Sequence, residues 1–340
     1  MQQNRAPRPL PLFLELVRRV SETDPELAAK ALDGLARYEQ APRIRTTPKR
    51  TSIGSAGSAT LRDCGGRGAP VVLVPSLINP PGILDLDPDV SLAAAIARMD
   101  RHALLLEWGP AAGRRDLDLG GHIQELLLPL LRQLDAKPAL VGYCLGGTMA
   151  VAAANLIPVE RVATLAAPWS FSAYPADARE SLAQLWESAR SAAQMFGMLP
   201  MEVLQGAFWS LDPRRTVTKF ARFAELEPGS PQALRFVTLE DWANEGEALP
   251  FPAARELMED LFDADLPGCS EWRVSGNRID ADLDCPLLNI TSASDRITPA
   301  ATAPAGETVQ VPSGHVGMVV GSARAGLHDL LAQFLSAPCR

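Results

Sequence analysis

The residues best placed to do chemistry lie in Gly142-Tyr143-Cys144-Leu145-Gly146-Gly147, directly after the apolar run Ala139-Leu140-Val141. The pattern is G-x-C-x-G-G, a nucleophile elbow with cysteine in the slot where a serine commonly stands. An elbow presents its nucleophile on a sharp strand-to-helix turn. Gly142 and Gly146 flank it because side chains there would collide with that turn. A thiol at a helix N-terminus also meets the partial positive charge that favours its thiolate. The backbone N–H of Leu145 would then face the oxyanion formed when the thiolate attacks a carbonyl. The alternative is a structural cysteine beside a glycine-rich helix start. The apolar strand before Cys144 and the small-residue helix after it, Gly146–Leu156, favour the elbow.

A thiol nucleophile of this kind needs a histidine base and an acid to orient it, in the chain order nucleophile, acid, base. The chain has four histidines. His102 and His122 precede Cys144, and His328 falls inside a helical pattern. His315 lies in Pro312-Ser313-Gly314-His315-Val316-Gly317, a turn directly after the last predicted strand, where the base is expected. Asp295 follows the predicted strand Leu287–Ile290, in Thr291-Ser292-Ala293-Ser294-Asp295-Arg296-Ile297-Thr298-Pro299, where the acid is expected. The bland alternatives are a turn aspartate and a surface-turn histidine. The second half of an oxyanion hole is expected in the loop Pro75-Ser76-Leu77-Ile78-Asn79-Pro80-Pro81, from the backbone N–H of Ser76 or Leu77. Ser76 is not itself read as a nucleophile, because its neighbours form no elbow.

These residues need a scaffold that brings distant loops together. Short β-rich runs at Val71–Val74, Ala103–Leu106, Ala139–Val141, Val162–Leu165, Leu287–Ile290 and Thr308–Val311 read as strands, several of them continuous apolar runs as expected for strands buried on both faces. Helical patterns lie between them, at Ser91–Arg98, Gly121–Leu134, Gly146–Leu156 and Ala325–Leu335. This alternation predicts a mostly parallel sheet with flanking helices, and with the elbow it predicts an α/β-hydrolase fold. Residues 1–50 read as a helical segment, started by Asp24-Pro25-Glu26, and a linker from Ala41 to Arg50. The hydrolase domain is expected over 51–340. Its alternation breaks at about 168–276, which holds five of the six tryptophans and reads as an inserted helical cap.

The bulk properties narrow the function classes. The chain has 340 residues, 47% of them hydrophobic and 21% charged, enough for one large domain with an insertion. A net charge of −8 argues against non-specific nucleic-acid binding. No apolar run reaches the roughly 18 residues of a membrane span, and no signal peptide is read. The five cysteines, Cys64, Cys144, Cys269, Cys285 and Cys339, form no C-x-x-C pair, which fits reduced thiols in a cytosol and neither a disulfide framework nor a zinc site. No cofactor or metal is expected. Arg114-Arg115 and Arg214-Arg215 could contact phosphate, although paired arginines are usually just solvated.

Four segments together resemble the polyhydroxyalkanoate synthases, the thiol-dependent polymerases of the α/β-hydrolase superfamily. They are Gly142-Tyr143-Cys144-Leu145-Gly146-Gly147-Thr148, Val74-Pro75-Ser76-Leu77-Ile78-Asn79 with Ile83-Leu84-Asp85-Leu86, Asp295-Arg296-Ile297-Thr298-Pro299, and Ser313-Gly314-His315-Val316-Gly317. Leu239-Glu240-Asp241-Trp242 resembles a segment of the family's cap. The likeness covers about residues 65–335. The sequence departs from the family at Ser76, where synthases often repeat proline, and at Pro80-Pro81-Gly82, where bulky residues are usual. Both departures bear on the acyl pocket.

The resemblance implies 3-hydroxyacyl-CoA as substrate, an acyl chain carried on Cys144, and a cytoplasmic protein at a polyester granule surface. The length resembles the short synthases, which implies a partner subunit or self-association. Three readings stand at this point: an acyltransferase building a polyester, a thioesterase, esterase or polyester depolymerase of the same fold, and a non-catalytic synthase-like granule protein.

Overall fold

A computed structural model of the chain describes residues 6–43 and 50–338. Six residues of the expected linker (44–49) and Cys339 lie outside the described residues. The central feature is an eight-stranded sheet formed by β1 (Thr51–Ala56), β2 (Ala59–Gly65), β3 (Pro70–Val74), β4 (His102–Glu107), β5 (Ala139–Tyr143), β6 (Val162–Leu165), β7 (Leu287–Ser292) and β8 (Glu307–Val311). Their order across the sheet is β1-β2-β4-β3-β5-β6-β7-β8. From β4 onward every pairing is parallel, and β2 joins β1 and β4 antiparallel. This is the α/β-hydrolase arrangement expected from the sequence. All five residues of β3 and of β5 are buried, as continuous apolar strands between two helical layers must be.

The hairpin β1–β2 was not among the expected strands. Thr51-Ser52-Ile53-Gly54-Ser55-Ala56 is small, polar and mostly exposed, so it lacks the apolar signal of the inner strands. It is held by its register on β2 across a turn at Gly57, whose φ of 53° suits glycine.

The chain divides into two compact units, residues up to 46 with Pro200–Gly246, and Thr47–Leu199 with Glu247–Arg340. The first unit thus joins the N-terminal helices to Pro200–Gly246, part of the stretch read from the sequence as an inserted cap. The first unit contains α1 (Leu10–Ser21) and α2 (Pro25–Gln40), the latter capped by the Asp24 carboxylate accepting from the Leu27 N–H. Phe13, Leu16, Ala31 and Tyr38 from these helices bury against Val217 and Phe220 of the stretch after residue 200. That packing gives the N-terminal helices a core that lies 180 residues away in sequence, which local pattern cannot reveal. Gly34 is required there, because a Cβ would lie 2.0 Å from the Phe220 carbonyl oxygen.

In the second unit α3 (Leu92–Ala97) and α4 (Leu145–Leu156) flank the sheet. Between β6 and the end of this unit's first stretch runs α5 (Ala176–Phe196), a 21-residue helix. After the return at 247, a helical stretch over 251–263 precedes β7 and includes π-type turns at Glu256–Asp263. A helix over Arg324–Ser336 closes the unit. Among the described residues no helix is long and apolar enough to cross a membrane.

Candidate active site

The elbow is a tightly determined turn of the sheet. Cys144 sits between β5 and α4 with φ 54° and ψ −131°, a conformation that costs a non-glycine residue about 1–3 kcal/mol. Its surroundings enforce it. A Cβ on Gly142 would lie 2.4 Å from the Gly147 Cα, and one on Gly146 would lie 2.2 Å from the Val74 carbonyl oxygen. A Cβ on Gly147 would meet that of Ala167 at 2.3 Å. These glycines let α4 press against both the end of β3 and the loop after β6. The Thr148 hydroxyl adds a tie, donating to the Pro168 carbonyl at 2.5 Å.

The Cys144 N–H is committed to the Leu165 carbonyl at 2.9 Å. That leaves the next N–H, on Leu145 at the first turn of α4, as the elbow's donor for an oxyanion. The contact of Gly146 with Val74 and Pro75 brings the loop carrying Ser76 and Leu77 beside this turn. Both residues are buried, and the Ser76 hydroxyl accepts from the Ile78 N–H at 3.3 Å. The loop is braced from outside by Trp108, whose indole N–H donates to the Pro75 carbonyl at 3.0 Å. Trp108 is the one tryptophan outside the insertion, and its place one residue after β4 was the available sequence signal.

Asp295 and His315 stand on two loops that are laced together. Ser292 and Ser294 both donate from their hydroxyls to the Ser313 carbonyl, the second at 2.8 Å, and the Ser294 N–H reaches the same oxygen at 2.9 Å. The Ala293 N–H donates to the Val311 carbonyl at 3.0 Å. So the serines in Thr291-Ser292-Ala293-Ser294 clamp the acid loop to the turn that presents His315. One Asp295 oxygen accepts from the Ile297 and Thr298 N–H groups at 2.8 and 2.9 Å. The other accepts from His315 Nδ1 at 2.7 Å. The Asp295 side chain has no exposed surface and that of His315 is 9% exposed. With Nδ1–H fixed on Asp295, Nε2 is the nitrogen left for Cys144, which acts on the imidazole.

Charge follows this geometry. Burial by itself lowers the His315 imidazole. The negative charge of Cys144, the hydrogen bonds with Asp295 and Cys144, and the charge of Asp295 outweigh it and raise the group to about 10. The arrangement thus favours a protonated imidazole between Cys144 and Asp295. Burial, and then the Cys144 charge, push the Tyr174 phenol upward, which places this buried ring within the field of the thiol. Tyr174 packs with Phe171 and Phe262. Tyr143, next to the nucleophile, lies against the His315 ring.

The other three histidines lie elsewhere. His102 meets Asp63 at 3.1 Å at the start of β4. His122 is buried, accepts from Arg114 at 3.1 Å, donates to the Asp118 carbonyl at 2.6 Å, and is lowered to about 4 by burial. His328 belongs to the last helix. The arginine pairs are also engaged within the fold. Arg114 is buried on His122 and the Gly109 carbonyl, Arg115 donates to the Phe196 carbonyl, and Arg214 pairs with Asp24 at 2.6 Å.

No family model matches the chain. It is similar to the protein named poly(3-hydroxyalkanoate) polymerase subunit PhaC from Haloferax mediterranei, at 27% identity over 276 residues, which are 76% of this chain and 56% of that protein. The subunit of the same name from Haloarcula marismortui is 26% identical over 287 residues, 78% of this chain and 60% of that protein. The one from Synechocystis sp. is 25% identical over 293 residues, 78% of this chain and 77% of that protein. The chain thus spans between half and two thirds of the length of the two archaeal relatives. Among solved structures, a hydrolase from Pseudomonas aeruginosa PA01 aligns over 85% of this chain and 97% of that one, at 18% identity and a TM-score of 0.49. The motif resemblance to polyhydroxyalkanoate synthases is therefore matched by similarity along three quarters of the sequence.

Proposed function

We propose that this chain is a thiol-dependent acyltransferase of the polyhydroxyalkanoate synthase type, with Cys144 as nucleophile, His315 as base and Asp295 as the acid that orients it. The observation that carries the reading is the His315–Asp295 hydrogen bond together with the influence of Cys144 on that imidazole from the strained elbow. The similarity to polymerase subunits supports a 3-hydroxyacyl-CoA thioester as the substrate class.

The chemistry balances as two exchanges. The Cys144 thiolate attacks the thioester carbonyl, and the N–H groups of Leu145 and of Ser76 or Leu77 hold the oxyanion. The new carbon–sulfur bond replaces the old one, and CoA leaves as a thiol with the proton from His315. Attacking and leaving thiols have similar basicity, so this step is close to neutral. His315 then takes the proton from the hydroxyl of a second hydroxyacyl group. That oxygen attacks the acyl-Cys144 thioester, an ester forms, and the thiolate–imidazolium pair returns. Asp295 stays ionised and steadies the imidazolium. In this reading a partner subunit or self-association supports the chain at a polyester surface.

Product analysis with 3-hydroxybutyryl-CoA tests it. CoA release together with oligomeric ester, lost in Cys144→Ala, is the expected result. CoA release with free acid as the only product would replace polymerisation with thioester hydrolysis. No CoA release, with or without a partner subunit, would leave the non-catalytic reading.

A further inference from the structure

We infer that Tyr143 is a positioning residue for His315, holding the imidazole in the orientation that meets Cys144 and favouring its protonated form through the face of the phenol ring. The inference rests on the reading of Cys144 and His315 given above.

Tyr143 is the last residue of β5 and has the same strained neighbour as the helix start, Cys144. It is 3% exposed, so a large polar ring has been buried beside the elbow. The ring centroids of Tyr143 and His315 are 5.1 Å apart and the planes are inclined by 36°, so the imidazole leans over the phenol face. The Tyr143 hydroxyl also reaches the backbone carbonyl of His315 at 3.4 Å. One side chain therefore touches both the ring and the main chain of the base. Asp295 holds the imidazole by one edge, at Nδ1, which leaves the ring some freedom to tilt. The phenol face removes this freedom.

The contact is also electrostatic. An aromatic face carries negative charge density and attracts a cation within about 6 Å of its centroid, by about 0.5–1 kcal/mol where solvent reaches and more where it does not. Three titratable groups bear on His315: Cys144 from the elbow, Asp295 from the loop after β7, and Tyr143 from β5. Burial keeps the Tyr143 phenol protonated, with the charges of Cys144 and Asp295 acting in the same direction. It therefore acts through its ring and adds no third negative charge.

The test is the pH profile of Cys144 alkylation by iodoacetamide, read by peptide mass spectrometry on the full chain. Tyr143→Phe keeps the ring face and should leave the midpoint where it is in the wild type. Tyr143→Met keeps the bulk and loses the face, and should move the acid-side midpoint up by about half a unit, from the cation–ring energy at 1.36 kcal/mol per unit. Pentafluorophenylalanine at position 143 keeps the shape and reverses the ring's charge distribution, and should move it at least as far. If Tyr143→Met does not fold, the fluorinated variant decides by itself. Folded variants that all titrate like the wild type would overturn the inference. A wild-type profile unchanged by His315→Ala would instead show that Cys144 and His315 are not coupled, which removes the underlying reading along with this one.

Discussion

The elbow and helix α5 belong to the same unit and are built on opposite terms. Around Cys144, backbone meets backbone. Gly142, Gly146 and Gly147 have no room for a methyl group, and the acid and base loops share hydrogen bonds to one carbonyl. Along α5, from Ala176 to Phe196, only Trp186 and Ala193 are buried, and Met195 and Phe196 at its end are 83% and 65% exposed. Between α5 and the turns at 256–263 lies a cleft of about 500 Å³ with Trp186, Met258 and Phe262 in its wall. The difference teaches where each property resides. Geometry that sets the chemistry is over-determined and will not bear substitution. The lightly packed helix α5 can change its surface with little loss of stability.

Substitutions should rank along this contrast. Asp295→Asn keeps the shape of the acid but cannot hold the imidazolium, and should slow acyl transfer on the order of 10³–10⁴-fold with the fold intact, read by single-turnover kinetics. Gly146→Ala puts a methyl group 2.2 Å from the Val74 carbonyl oxygen. It should cost about 3 kcal/mol in denaturant unfolding, or displace the oxyanion loop and lose activity.

Glu256 is intermediate. Its buried carboxyl accepts from the Trp272 indole at 2.7 Å and from the Leu119 and Gly120 N–H groups at 2.6 and 3.2 Å. Glu256→Gln sets its NH2 against one of these donors and should cost about 1–3 kcal/mol. Burial raises Glu256 from 4.5 to about 7 despite the three donors. The folded chain therefore binds this proton more tightly than the unfolded one, so its contribution favours folding at low pH and declines as pH rises from about 4.5 to about 7. Glu256→Gln should flatten that part of the stability profile. Smallest of all is Arg190→Ala on α5, which removes a half-exposed pair with Glu259 and should change stability by less than about 1 kcal/mol. A larger loss would mean that α5 is more tightly held than its exposure implies.

What the sequence disclosed follows from what is local. Five inner strands are apolar runs a few residues long, and the edge strand β8 alternates Val309 and Val311 with polar residues; each was legible. The elbow was legible because its cysteine and glycines stand close together in sequence, although Gly146 and Gly147 answer to contacts with Val74 and Ala167. Asp295 and His315 were legible because the fold fixes which loops carry them. Three features were not. The hairpin β1–β2 has no apolar pattern of its own. The packing of Phe13 and Tyr38 on Phe220 joins segments about two hundred residues apart. The hydrogen bond of Trp108 to the loop carrying Ser76, and the contact of Tyr143 with His315, depend on side-chain direction across neighbouring strands. Tyr143 had only its position beside Cys144 to mark it.

The central claim is that the Cys144 thiolate, drawn out by His315, takes up the acyl group. Intact-protein and peptide mass spectrometry after brief mixing with 3-hydroxybutyryl-CoA tests it most directly. The account predicts hydroxybutyryl groups on Cys144, with one equivalent of CoA released per first acyl group, formed far more slowly in His315→Ala and absent in Cys144→Ala. CoA release at the wild-type rate from the Cys144→Ala protein, or acyl groups found on another residue, would contradict it.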